Sequence, residues 1–180
     1  MMLDAMAGYS RMMPNSVTAP WPSALELVRA REHAKDLRLA YAPDIAAIGV
    51  DTELEEICRA AAFGLTGDGA IVEEVDFNLS DARDAYLTLR GAWMVGMQYG
   101  RLDNLFDFGA NLAGNVRSGL DISMRELAAA EDMRTRIWHR YRKLFESYDA
   151  LLMPMSPVSQ FPVKKNFPDV GLMCDVALDP

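Results

Sequence analysis

Cysteine and histidine are nearly missing from this sequence: two of each, at Cys58, Cys174, His33 and His139. Dispersed in this way they show no CxxC or metal-ligand spacing, which argues against a zinc site or a disulfide framework. No metal or cofactor is expected. Both thiols are expected to be free, in a reducing, cytoplasmic compartment. Positive charge is also in deficit, with 18 Lys and Arg against 26 Asp and Glu, a net charge of −8. That balance argues against nucleic acid, whose phosphates need a basic surface, and against an anionic membrane surface. No apolar run approaches the roughly 20 residues that span a bilayer. Asp4 stands where a signal peptide would carry Lys or Arg, so secretion is unsupported. What remains is a chain of 180 residues, 51% hydrophobic, which fits one globular domain with a core and not a disordered segment.

The chain divides into an entry region (1–36), an αβ body (37–158) and an irregular tail (159–180). The entry reads as the last turns of a helix ending at Gly8. A loop with Pro14, Pro20 and Pro22 follows, then a short helix over 24–35 capped by Ser23, with Leu25 and Val28 as its apolar side. The body opens with a strand over 37–42, closed by Pro43-Asp44. Asp51-Thr52 caps a helix in which Leu54, Ile57, Cys58, Ala61 and Leu65 recur at the helical period. Gly67-Asp68-Gly69 ends it, and 70–75 reads as a second strand. Strand, helix, strand at this spacing predicts a βαβ unit with parallel strands.

Ser80 is expected to cap a helix running to about Gly100, with Tyr86, Leu89, Trp93 and Met97 on one face. Gly91 and Gly96 inside it suggest close packing or a bend. The Gly-rich stretch 102–120 carries no clear period. Ser123-Met124-Arg125-Glu126 is a capping-box pattern that opens a long helix to about Ser147. Its buried stripe is expected to be Leu127, Ile137, Tyr141, Leu144 and Tyr148. Residues 149–153 read as a third strand, stopped by Pro154 and Pro157.

The order of these motifs resembles one family. Leu3-Asp4-Ala5-Met6-Ala7-Gly8, then Pro14-Asn15-Ser16, is similar to an "LDAMAG…DP.S" segment, and Leu37-Arg38-Leu39-Ala40-Tyr41 to an "LRIGY" strand. Residues 51–62 followed by Gly69-Ala70-Ile71-Val72-Glu73-Glu74-Val75 resemble "VDPEV…A…LGAxVEEV". Tyr148-Asp149-Ala150-Leu151-Leu152-Met153-Pro154-Met155-Ser156-Pro157 resembles "YDLLLTPTTP". These are motifs of amidase-signature hydrolases, in the family's order along most of the chain.

The resemblance implies a partial amidase-signature α/β fold: a short mixed or parallel sheet with a βαβ unit and long covering helices, as one incomplete domain. It implies a family activity, hydrolysis of small-molecule carboxylic amides to acid and ammonia by a Ser, a second Ser in a cis peptide, and a Lys. In the family those residues lie upstream of the "LDAMAG" segment, which here begins at residue 3. No Gly/Ser-rich run occurs, and the only lysines are Lys35, Lys143, Lys164 and Lys165. Amide attack needs a nucleophile, an activating base and oxyanion donors. No residue is therefore assigned a catalytic role, and the chain is expected to be inactive alone. The alternative is a binding or assembly module that pairs with a chain carrying the catalytic core. Exposed sheet edges predict self-association.

The resemblance also implies that the helix containing Trp93 and Met97 lines the acyl side of a substrate channel, making these two the candidate substrate-binding residues. The plainer reading is that they are core residues at helical spacing. Ser156, His139 and Asp149 suggest a triad on paper, but Ser156 has no G-x-S-x-G elbow and His139 is flanked by Arg140 and Arg142. The basic cluster Arg134, Arg136, Arg140, Arg142 and Lys143, with Glu126, Glu131 and Asp132 nearby, reads as a solvated face.

Overall fold

The apolar stretch after Leu37 forms the centre of the sheet. In the computed structural model, which describes residues 2–30 and 34–165, the elements run α1 (Met2–Met6), α2 (Ala24–Ala30), β1 (Arg38–Tyr41), α3 (Thr52–Gly64), β2 (Ile71–Glu74), α4 (Arg83–Met97), α5 (Ala110–Leu120), α6 (Met124–Leu144) and β3 (Ala150–Leu152). Short 3-10 segments occupy Leu65–Asp68, Ser80–Ala82 and Tyr99–Asp107. The sheet order is β2-β1-β3, and both pairings are parallel. Arg38 sits opposite Ile71, Tyr41 opposite Glu74, and Leu39 opposite Ala150. The expected βαβ unit is therefore present as β1-α3-β2. The fold is mixed α/β, as read from the sequence.

Local signals set most boundaries. Asp51 caps α3, its carboxylate accepting from the Glu53 and Leu54 N–H groups at 3.1 and 3.3 Å. The capping box on α6 is complete: the Ser123 N–H donates to Glu126 Oε2 at 2.8 Å, and the Glu126 N–H donates to Ser123 Oγ at 3.2 Å. Ser23 accepts from the Glu26 N–H at the start of α2, whose first two N–H groups, on Ala24 and Leu25, donate to the Asp4 carboxylate. These interactions satisfy orphan donors at helix starts.

Three expectations change. Ser80 does not cap α4; it begins a 3-10 turn, and the helix proper starts at Arg83 without a side-chain cap. Residues 102–120, unreadable by period, contain the end of a 3-10 segment and all of α5. The covered face of α3 is rotated: Leu54, Cys58, Ala62 and Leu65 turn inward, while Ile57 and Ala61 are exposed. The helix meets the strands through Phe63 against Tyr41 and Arg59 against Tyr41 and Glu74, so a narrow stripe is covered. Val28, expected on the apolar side of α2, is exposed as well. His33 and Cys174 lie outside the described residues.

The core is thin. Its described hydrophobic members are Leu39, Ala40, Tyr41, Ala42, Ala62, Ala70, Ala85, Ala113, Val116 and Ala130. Seven of the ten are alanines, which contribute little apolar area each. Only Tyr41 and Val116 are large and fully buried. Many large side chains of the described residues, among them Tyr86, Trp93, Phe106 and Met124, are left exposed.

Small residues instead allow close approach of helices. Gly91 on α4 faces Gly119 on α5. A methyl added at Gly119 would lie 2.8 Å from the Gly91 carbonyl carbon and 2.8 Å from Val95 Cγ2. By contrast, a methyl at Gly96 meets nothing within 4 Å. Gly119→Ala is expected to destabilise by about 1–3 kcal/mol, the usual cost of an overpacked site. Gly96→Ala should stabilise by up to about 1 kcal/mol through helix propensity. Urea unfolding of the two variants separates packing from propensity, and equal shifts would contradict a close α4–α5 crossing.

Candidate functional site

α4 presents two unlike faces. Ala85 and Gly91 are buried against α5 and α6, while Tyr86, Trp93 and Met97 point outward, Trp93 at 63% exposure and Met97 at 61%. These positions are spaced by seven and four residues along the helix, so they share a face. Trp93 lines a cleft of about 640 Å³ between α4 and α6, with Tyr86 and Leu89 on one side and Leu127, Glu131 and Arg134 on the other. Met97 stands one turn further on, outside that cleft. Neither Trp93 nor Met97 is a core residue of this chain.

Charges around the helices are spent on structure. Arg140 of α6 grips Asp81 with both terminal nitrogens, at 2.7 and 2.5 Å, and this hydrogen bonding holds the Asp81 carboxyl below its ordinary range. Arg59 bonds Glu74 and Glu55 and lies over the Tyr41 ring, and its hydrogen bond lowers Glu74 in the same way. The Ser123 hydroxyl and N–H do so for Glu126, and the Ala24 N–H for Asp4. Each of these carboxylates is held in its charged form. A general acid for neutral pH needs the opposite shift. Apart from the guanidinium groups of Arg59 and Arg140, raised by their carboxylate partners, the groups pushed upward are phenols: Tyr41 and Tyr148, both mainly by burial.

The paper triad is not assembled. Asp149 Oδ2 accepts from the Arg38 N–H at 2.8 Å, and the Ser156 hydroxyl donates to the Val158 carbonyl at 2.8 Å. The His139 ring stands edge-on to Trp138 at 5.0 Å on an exposed face of α6. Lys143 and Ser147 line another cleft, of about 390 Å³, but no side-chain hydrogen bond joins them among the described residues. The basic cluster is a solvated face as expected, with Arg134 paired to Glu131, Arg136 to Asp132 and Arg142 to Glu146. Among the described residues no helix is long and apolar enough to cross a membrane.

The Amidase family model matches residues 1–178. The chain belongs to the amidase family. An acylamidase of Rhodococcus erythropolis is 25% identical over 178 residues, covering 93% of this chain and 35% of that protein. The fold matches a solved bacterial aryl acylamidase of the amidase-signature enzymes (TM-score 0.67, 20% identity, 86% of this chain and 34% of the other). It also matches the inhibitor-bound form of a complex described as vestigial and as revealing the origins of an s-triazine catabolic enzyme (TM-score 0.75, 18% identity, 93% and 36%). This amidase-family chain thus spans about a third of the length of the relatives it matches.

Sequence periodicity placed Trp93, Met97 and Tyr86 on one face but left open which way that face turns. It missed the α6 wall of the cleft, Leu127, Glu131 and Arg134, whose only signal was the capping box fixing where α6 begins. Trp93→Ala is expected to change unfolding free energy by no more than about 0.5 kcal/mol, as for an exposed residue. A core tryptophan would cost about 3–5 kcal/mol. Urea unfolding monitored by circular dichroism decides between the two.

Proposed function

We propose that this chain supplies a sheet-and-helix portion of an amide hydrolase, and that it is inactive on its own. Hydrolysis then requires a serine and a lysine from outside the segment, since nothing here resembles a Gly/Ser-rich nucleophile loop with an adjacent base. The observation that carries this reading is the outward face of α4. Large apolar side chains at Tyr86, Trp93 and Met97 stand uncovered beside a cleft, as expected of a wall whose facing half belongs elsewhere. On this reading Trp93 and Met97 touch the substrate. The names of two relatives, acylamidase and aryl acylamidase, favour an acylated amine as that substrate. The half-buried Cys58 thiol is free, which suits a reducing, cytoplasmic setting.

A second reading has the missing half on a separate polypeptide, with this chain as an assembly module. It is favoured by the open outer edges of β2 and β3, which can also pair copies of this chain, and by a structural relative described as a protein complex. One experiment addresses both. The purified chain is offered simple aliphatic and aromatic amides, alone and after co-expression with a polypeptide carrying the amidase Ser and Lys motifs. Ammonia at background alone, with activity restored in a co-purifying pair, is the result expected of an assembly module. Ammonia release by the isolated chain would refute both readings.

A further inference from the structure

Away from α4, the loops leaving β1 and β3 enclose a second, smaller space. The chain passes from β1 through α3 to β2 on one flank and later returns as β3 on the other. In open parallel sheets such a reversal leaves a crevice outside the carboxyl ends of the two strands whose connections diverge, and ligands bind there. Here the crevice lies between residues 42–50 and 153–157 and measures about 190 Å³.

Its walls are fixed to one another. The Ala42 N–H donates to the Leu152 carbonyl at 3.0 Å, and the Asp51 N–H donates to the Pro157 carbonyl at 2.8 Å. The Leu79 N–H donates to the Ile45 carbonyl at 2.6 Å. The Asp44 carboxylate turns back on its own loop and accepts from the Ala46, Ile48 and Gly49 N–H groups at 3.2, 3.3 and 2.7 Å. This clamp holds Ala47 at φ 52 and Gly49 at φ 82. For alanine the left-handed region is strained, and such strain persists where surrounding contacts over-determine it, often at ligand clamps. The Ser156 hydroxyl is engaged with Val158. The Asp44 and Ser156 side chains are thus engaged within their own loops, and Ile45, Ile48, Val50, Met153 and Met155 supply an apolar lining.

We propose that this crevice binds a neutral aromatic ring of about benzene size. An apolar cavity of about 150 Å³ suffices for benzene, and thioethers make favourable contacts at ring edges. Met153 and Met155, 42% and 97% exposed, stand at the mouth to make them. No cation lines the space to pair an anion, and the one ionised group, Asp44, faces its own backbone. The site uses side chains of this chain alone, so it stands or falls apart from the amide-hydrolase reading.

The test is titration of the full chain, with methyl-labelled methionine, by benzyl alcohol, benzoate and benzylammonium in parallel. Saturable shifts confined to Met153 and Met155 among the twelve methionines are expected with benzyl alcohol in the millimolar range, with the two ions at least tenfold weaker. Ile48→Trp, which fills the crevice, should abolish the response, and Ile57→Ala on the outer face of α3 should leave it intact. Should Ile48→Trp fail to fold, the wild-type comparison still decides. Non-saturating shifts, shifts spread over the methionines, or equal binding of an ion would overturn the proposal.

Discussion

Parallel pairing on both sides of β1 is the constraint on which the rest depends. A parallel strand cannot be reached by a tight turn, so each neighbour arrives through a long connection. One is α3, which returns directly as β2; the other is the whole α4–α6 layer, which delivers β3. Leu39, Ala40, Tyr41 and Ala42 are all nearly inaccessible, whereas β2 is largely exposed and β3 half covered. The middle strand is therefore the single element buried as parallel strands normally are. The loops at its carboxyl end inherit fixed positions from it.

The helical layer is joined by proximity more than by bulk. Alanines and the Gly91–Gly119 contact bring α4, α5 and α6 together, with Val116 as their one large, fully buried side chain among the described residues. The aromatic and methionine side chains that would fill an ordinary core are displaced to the outer face of α4. The small residues occupy the inner face of α4, and Tyr86, Trp93 and Met97 stand on its outer face, the first two lining the cleft.

The sequence was most legible where signals are local. Asp51 as a cap, the Ser123–Glu126 box, the Pro43-Asp44 stop and the βαβ spacing each predicted an element now found in place. It was least legible where tertiary contact decides. α5 has glycines within its length and no clean period, and its course depends on the meeting of Gly119 with Gly91. The covered face of α3 is set by tertiary contacts such as Phe63 with Tyr41, which spacing alone does not reveal. For Trp93 and Met97, spacing defined a face but not its direction. The crevice between the β1 and β3 loops was invisible from sequence, because it exists only once β3 is known to lie beside β1.

Native-state amide hydrogen exchange, resolved by residue, tests the role of β1 most directly. Stability is distributed unevenly in proteins, and the slowest amides mark the elements that open only on global unfolding. The account predicts that the amides of Leu39, Ala40, Tyr41 and Ala42 exchange slowest, with those of Val72, Glu73 and Leu151 markedly faster. Equal protection across all three strands, or greater protection at β2, would contradict it and show that the outer edges are covered.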